Sequence, residues 1–385
     1  MPRPNLVIFA LLMTAISAIS GAQSGESSGA PVYVGTYTDH GSKGIYGYRF
    51  DPKAGTLAAL GLEAETDSPS FLVLDSSRRF LYAANETDTF HGQPTGGVSA
   101  FAIDARTGKL TSINQVSSRS AGPAYITLDR SGKYVLTANY PVGSVGAFPV
   151  LENGTVGEAS AFVQHGGSSI NPDRQSGPHA HAIELSPDNR FALVPDLGTD
   201  QIIIYPFDQS KGTLGPARFH KIAAGSGPRH LVFSANGKFV YLLSEMAGRV
   251  TVFSYEAASG NLSDLQTISA LPKNYAGKNS SAEIRIGKSG KFLYASNRGP
   301  DNIAVFAIDK AKGTLTFVET VASGGKTPRN FTIDPSGRWL LAANQDSGNI
   351  VIFKVNPKTG RLTNTAKTVE VPSPVCIVFG APAPD

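Results

Sequence analysis

The segment KGIYGYRFDPKAGTL (43–57) is an alternating apolar strand that ends in an Asp/Gly turn, and the chain repeats it. The pattern returns as GGVSAFAIDARTGKL (96–110), GSVGAFPVLENGTV (143–156, one residue shorter) and DQIIIYPFDQSKGTL (200–214). It returns again as GRVTVFSYEAASGNL (248–262), DNIAVFAIDKAKGTL (301–315) and GNIVIFKVNPKTGRL (348–362). A second unit accompanies it: two apolar strands joined by a polar turn, as in PSFLVLDSSRRFLYAAN (69–85) and PRNFTIDPSGRWLLAAN (328–344). Six copies of this second unit are complete. The seventh is split, with PVYVGT (31–36) supplying one strand and PVCIVF (374–379) the other.

The anchor residues Leu74, Leu128, Leu185, Phe233, Ile286, Ile333 and Phe379 lie 46 to 57 residues apart. Repeats of about 40–50 residues with four strands each are propeller blades. Pairing the first and last strands of the chain in one sheet closes the ring and removes edges that would invite aggregation. The expected fold is therefore all-β, a seven-bladed β-propeller over residues 31–380. The split copy argues against a β-sandwich pair or an open solenoid.

Composition narrows the function. The 385 residues carry a net charge of +4, with no block of like charges and no basic run interleaved with aromatics, so no nucleic-acid partner is expected. Cys376 is alone, which excludes an internal disulfide and a thiolate metal cluster. At the N-terminus Arg3 precedes the apolar stretch LVIFALLMTAISAIS (6–20) and the small residues Ser20-Gly21-Ala22. That is a signal peptide over 1–22, too short for a membrane span, followed by a disordered tail over 23–30. The expectation is an exported, soluble monomer with no membrane partner.

Aligning the repeats lets one geometric ring be read at a time. The position two residues into each second unit holds Ser70, Ala124, His181, Arg229, Ala282, Arg329 and Val375. The position after the strand that follows holds Glu86, Tyr140, Leu197, Glu245, Arg298, Gln345 and Tyr37. Equivalent positions elsewhere are uniformly apolar or uniformly turn-forming, so symmetry broken at these two rings points to a ligand. His181, Arg229, Glu245 and Arg298 come from consecutive blades and should converge at one channel mouth. Guanidiniums bind anions and stabilise developing oxyanions, and a His beside a carboxylate suits general acid–base chemistry. The polar stretch GSSINPDRQSGPHAHA (167–182) should bring Arg174 to the same mouth, with His179, Arg329 and Glu86 as substrate-binding candidates.

Other readings of these residues are a structural ion-pair ring and satisfied core histidines. The H-x-H pair also suits a metal, but no third ligand is evident, so no metal or other cofactor is expected. The G-E-S-S-G stretch (25–29) matches a nucleophile-elbow pattern without its strand–turn–helix setting.

The stretches NPDRQSGPHAHAIELSPDNRFALVPDLGTDQI (171–202), GPRHLVF (227–233), LYASNRGPDNIAVF (293–306) and TPRNFTIDPSGRWLLAANQDSGNIVIF (327–353) resemble the seven-bladed propeller lactonases. That family includes bacterial 6-phosphogluconolactonases and fungal carboxy-muconate lactonizing enzymes. The resemblance covers about residues 31 to 380. It implies a catalytic set of His181, Arg229, Glu245 and Arg298, the set that the ring alignment selects. It also implies hydrolysis of a small anionic lactone, with a muconate-type cycloisomerase or a non-catalytic binding propeller as alternatives. One departure is visible: the family's N-E-L around the Glu reads Ser244-Glu245-Met246.

Overall fold

The computed structural model describes residues 1–2 and 29–381 and consists of seven antiparallel sheets, one per blade. The expected signal peptide lies outside the described residues apart from its first two. Ala30, assigned above to the tail, already pairs with Phe50 in the first strand. The ring closes as expected: Ala30–Thr36 pairs with Pro374–Phe379, so one sheet holds both ends of the propeller.

Each blade is built outward from an innermost strand, such as Pro69–Leu74, Pro228–Phe233 or Pro328–Ile333. The turns are set by side chains as much as by glycine. In the D-P-S-G turn, Asp334 Oδ1 accepts the backbone N–H groups of Arg338 (2.8 Å) and Trp339 (2.7 Å), while Oδ2 accepts that of Ser336 (3.0 Å). Blades are then stapled to their neighbours by a recurring contact. Tyr33, Tyr241 and Tyr294 donate their hydroxyls to the carbonyls of Gly108, Gly313 and Gly360 in the next blade. Trp339 closes the circle by donating Nε1 to Pro52 O at 3.0 Å. These aromatic residues bury large apolar surface and still satisfy their polar ends, so they hold the ring without any role at the channel.

One irregularity recurs in the innermost strands. The pairing register skips one residue between Pro69 and Phe71, Pro123 and Tyr125, Pro228 and His230, and Pro328 and Asn330. The skipped residues are Ser70, Ala124, Arg229 and Arg329, members of the first ring picked out by alignment. Val375 is skipped in the same way opposite Gly35 and Thr36. A bulge leaves its extra residue outside the ladder and re-aims its side chain. In the fourth blade the effect is larger: only the Ala180↔Asp196 bridge and Glu184–Leu185 remain as innermost strand. His181 sits in that interruption, its backbone N–H donating to Pro195 O at 3.1 Å.

Candidate active site

The channel mouth is organised by Glu245, which follows the strand Phe239–Ser244. Its Oε1 accepts Arg174 Nη2 at 2.7 Å, and its Oε2 accepts Arg229 Nε at 3.0 Å and Arg298 Nη2 at 2.9 Å. His181 Nε2 lies 3.9 Å from the same Oε2. The structure therefore brings together all four residues of the expected catalytic set, with Arg174 arriving from the loop. Only the Arg174 side chain is substantially open to solvent, at 42% against 5% for Glu245.

Burial and charge set the protonation states. Burial pushes the Glu245 carboxyl up, but Arg298, Arg229 and the Arg174 hydrogen bond overcome this and hold it far below the usual carboxylate range. Burial, then the charges of Arg229, His230 and Arg329, drive the His181 imidazole well below its ordinary value. It is a neutral base at physiological pH, and its buried Nδ1 has no hydrogen-bond partner. Burial, Arg298 and Arg329 pull Arg229 down to about 9, which leaves it charged.

Arg229 is held on every side that the protein supplies. Besides Glu245, its Nη1 donates to Ala282 O at 2.6 Å and lies 3.2 Å from His230 Nε2. Arg298 donates Nε to Ser280 O (2.7 Å) and Nη2 to Ser280 Oγ (2.6 Å). Among the described residues, Arg229 Nη2 and Arg298 Nη1 have no protein acceptor. Fixed guanidiniums with spare N–H groups are preorganised donors for an oxyanion or an anionic substituent.

The expected binding residues fall into two groups. Arg329 Nη2 lies 3.8 Å from Glu86 Oε2 and its guanidinium sits over the Tyr37 ring at 5.1 Å, while Tyr37 donates its hydroxyl to Glu86 at 2.8 Å. His179 is committed to the scaffold: its Nδ1 pairs with Tyr140 O at 2.9 Å, and its ring stacks on Tyr140 at 4.7 Å. Tyr140 meets His181 edge-on at 5.1 Å and accepts Arg174 Nη2 at 3.1 Å. Tyr37 and Tyr140 belong to the second ring, yet neither was singled out from sequence. Their aromatic character concealed the hydroxyls that tie the cationic side chains together.

The loop that delivers Arg174 is pinned from below. Buried Gln175 donates to Leu197 O (2.8 Å) and Asp200 Oδ2 (2.7 Å), and Ser169 Oγ donates to the same Asp200 oxygen. Asp196 Oδ1 accepts the backbone N–H groups of His179, Gly198 and Thr199, and its Oδ2 meets His165 Nδ1 at 2.6 Å. Gly198 admits this packing because a Cβ there would lie 1.9 Å from Gly177 O. Met246, the departure noted above, packs on Gly227, whose added Cβ would come within 2.8 Å of its Cγ. That contact braces the G-P-R-H turn and leaves the Glu245 carboxylate unaffected.

The family described as "Lactonase, 7-bladed beta-propeller" matches residues 31–379. The chain belongs to this lactonase family. It is 35% identical over 347 residues to the 6-phosphogluconolactonase of Bacillus subtilis, covering 90% of this chain and 97% of that protein. It is 37% identical over 308 residues to the 6-phosphogluconolactonase of Formosa agariphila, covering 78% and 86%. Among solved structures, the periplasmic gluconolactonase of Pseudomonas aeruginosa superposes with a TM-score of 0.87 at 37% identity, covering 92% of this lactonase-family chain and 99% of that one. Among the described residues, no group of three or more His, Cys, Asp or Glu side chains is placed to hold a metal ion. Among those residues, no helix is long and apolar enough to cross a membrane.

Proposed function

We propose that this lactonase-family chain hydrolyses the lactone of a small, anionic, sugar-like acid at the Glu245 mouth of the channel. One observation carries the reading. A neutral, buried imidazole stands beside a carboxylate whose charge is held by three guanidiniums, and two of those guanidiniums keep N–H groups free.

In this mechanism His181 takes a proton from water as the water oxygen attacks the lactone carbonyl carbon. The carbonyl becomes a tetrahedral oxyanion, which Arg229 and Arg298 stabilise through those free N–H groups. The imidazolium that forms at His181 faces Glu245, whose charge favours it. The ring C–O bond then breaks and the leaving alkoxide recovers the proton, giving the open hydroxy acid. Glu245 is too strongly stabilised as an anion to be the better base, and its role is to fix the guanidiniums. Four guanidiniums (Arg174, Arg229, Arg298 and Arg329) face two carboxylates (Glu245 and Glu86) at this mouth, an excess that suits an anionic substrate.

The signal-like N-terminus and the periplasmic description of the Pseudomonas relative support an exported enzyme. Export favours an unphosphorylated sugar-acid lactone over a cytosolic phosphate ester, and with such a neutral lactone the excess positive charge serves the developing oxyanion and the carboxylate product. Turnover of gluconolactone and 6-phosphogluconolactone in 18O-water tests the proposal. One solvent oxygen should enter the product carboxylate; ring opening without solvent oxygen would indicate an isomerase, and no turnover of either would favour a binding role.

A further inference from the structure

The innermost strands run on from the Glu245 mouth to the opposite end of the channel, where symmetry is broken again, contrary to the expectation that only the two mouth rings depart from it. The ring nearest that end holds Val73, Thr127, Val232, Thr332 and Val378 in five blades, all β-branched. In the fourth and sixth blades the same position holds Glu184 and Arg285. The fold asks for a small branched residue here, and two blades supply opposite charges.

These charges do not neutralise each other: no ion pair joins them among the described residues. Glu184 is engaged at one oxygen by the Tyr125 hydroxyl, and among the described residues Oε2 has no hydrogen-bond partner. Arg285 donates Nε to Phe331 O at 2.9 Å and approaches Glu283 with Nη2 at 3.6 Å, leaving Nη1 free. Both side chains line one cavity of about 420 Å³, whose other walls include Val232, Phe233 and Thr332. A second cavity of about 380 Å³ adjoins Glu184 on the side of Arg130. Burial pushes the Glu184 carboxyl up to about 7 against the opposing pull of the Tyr125 hydrogen bond, Arg285 and Arg130, so near neutrality it can donate as well as accept.

We infer that this far mouth is a second binding site, separate from the Glu245 site, for a small hydroxycarboxylate. The ligand carboxylate sits on Arg285, and a ligand hydroxyl meets Glu184 beside Tyr125. The cavity holds a molecule of roughly sugar-acid size, and its free guanidinium N–H and free carboxyl oxygen supply the complementary pair. The innermost-strand residues between the two ends, including Phe71, Tyr125, His230 and Asn330, are buried and separate this cavity from the catalytic mouth.

Isothermal titration with sodium gluconate and sodium lactate tests this, with sorbitol as the uncharged control. The choice of gluconate rests on the proposed reaction, whereas lactate tests the site independently of it. The variants are Glu184→Val and Arg285→Thr, which restore residues that other blades carry at this ring and so preserve the fold. Arg298→Met serves as the disruption of the catalytic mouth. Loss of a charged hydrogen bond predicts more than about tenfold weaker binding for Arg285→Thr and little change for Arg298→Met. Binding lost in Arg298→Met and kept in Arg285→Thr would place the ligand at the catalytic mouth alone and overturn the inference. Sorbitol binding as tightly as gluconate, or no heat from either carboxylate up to about 10 mM, would also overturn it.

Discussion

Replacing His181 by Ala and Glu245 by Gln should separate activity from stability. Among the described residues His181 makes no side-chain hydrogen bond, its Nδ1 is a buried orphan, and the Glu245 carboxylate lies 3.9 Å from its Nε2. Removing the ring deletes edge contacts with Tyr140 and His230, a loss of about 1 kcal/mol in stability. A general base contributes roughly 10²–10⁴-fold, so kcat should fall by that factor while the melting temperature moves little. Glu245→Gln should cost stability as well as activity. It removes the charge that three guanidiniums approach at 2.7, 3.0 and 2.9 Å inside a buried site. Breaking a buried pair costs about 3–5 kcal/mol, which should lower the melting temperature by roughly 5–10 °C. Its kcat should fall as well, because Arg229 and Arg298 lose their anchor. Acid release from gluconolactone, read beside thermal unfolding of each variant, is the assay. If His181→Ala retains more than about a tenth of the activity, the base is not His181. If Glu245→Gln loses more kcat than His181→Ala at an unchanged melting temperature, the proton goes to Glu245.

Other outcomes follow from the same geometry. Because burial and Arg229 hold His181 well below its ordinary value, kcat/KM should stay flat as pH falls through 6.5 and decline only in more acidic buffer; an acid limb centred near 6.5 would contradict a neutral, desolvated imidazole. Arg298→Met should lower kcat by roughly 10²–10³ if its free Nη1 serves the oxyanion, with a rise in KM alone marking a purely binding role. Glu184, raised to about 7, makes the folded chain hold more protons than the unfolded one between about 4.5 and 7, so its contribution to stability falls as pH rises there. His230, lowered to about 4, is protonated only in the unfolded chain between about 4 and 6.5, so its contribution rises with pH. The two oppose each other in the wild type, and Glu184→Gln should show stability climbing by roughly 1 kcal/mol more per pH unit between about 4.5 and 6.5; equal slopes in chemical unfolding would refute the shifted Glu184.

The fold was legible because a ring of blades writes its period into the chain, and the split PVYVGT and PVCIVF strands declare the closure. The rings holding His181, Arg229, Glu245 and Arg298 were legible because a repeat protein exposes its exceptions. The bulges that aim Ser70, Arg229 and Arg329 were not, since apolar alternation carries no record of which backbone pairs are skipped. The convergence at one mouth was legible too, but not the role of Glu245 as the common acceptor of three guanidiniums, because repeat alignment carries no record of which side chains meet.

One further exception lay in plain view without being read. The strands FLYAAN, YVLTAN, FLYASN and WLLAAN end in Asn, whereas FALVPD ends in Asp196. Asn85, Asn139, Asn297 and Asn344 donate their side-chain amides to the carbonyls of Asp67, Ser118, Ala270 and Ser323, just beyond the outer strand of the preceding blade. A carboxylate has no proton to donate, so Asp196 requires a donor where those four blades offer an acceptor. The residue just beyond the outer strand Ala161–Gln164 is His165, and its Nδ1 meets Asp196 Oδ2. The exchange frees Oδ1 to gather the N–H groups of His179, Gly198 and Thr199, which fasten the backbone beside His181 where the innermost strand gives way. A single Asn-to-Asp difference between copies, read with the donor rules, therefore predicts the His165 partner and marks the blade that has given up regular pairing to build a site.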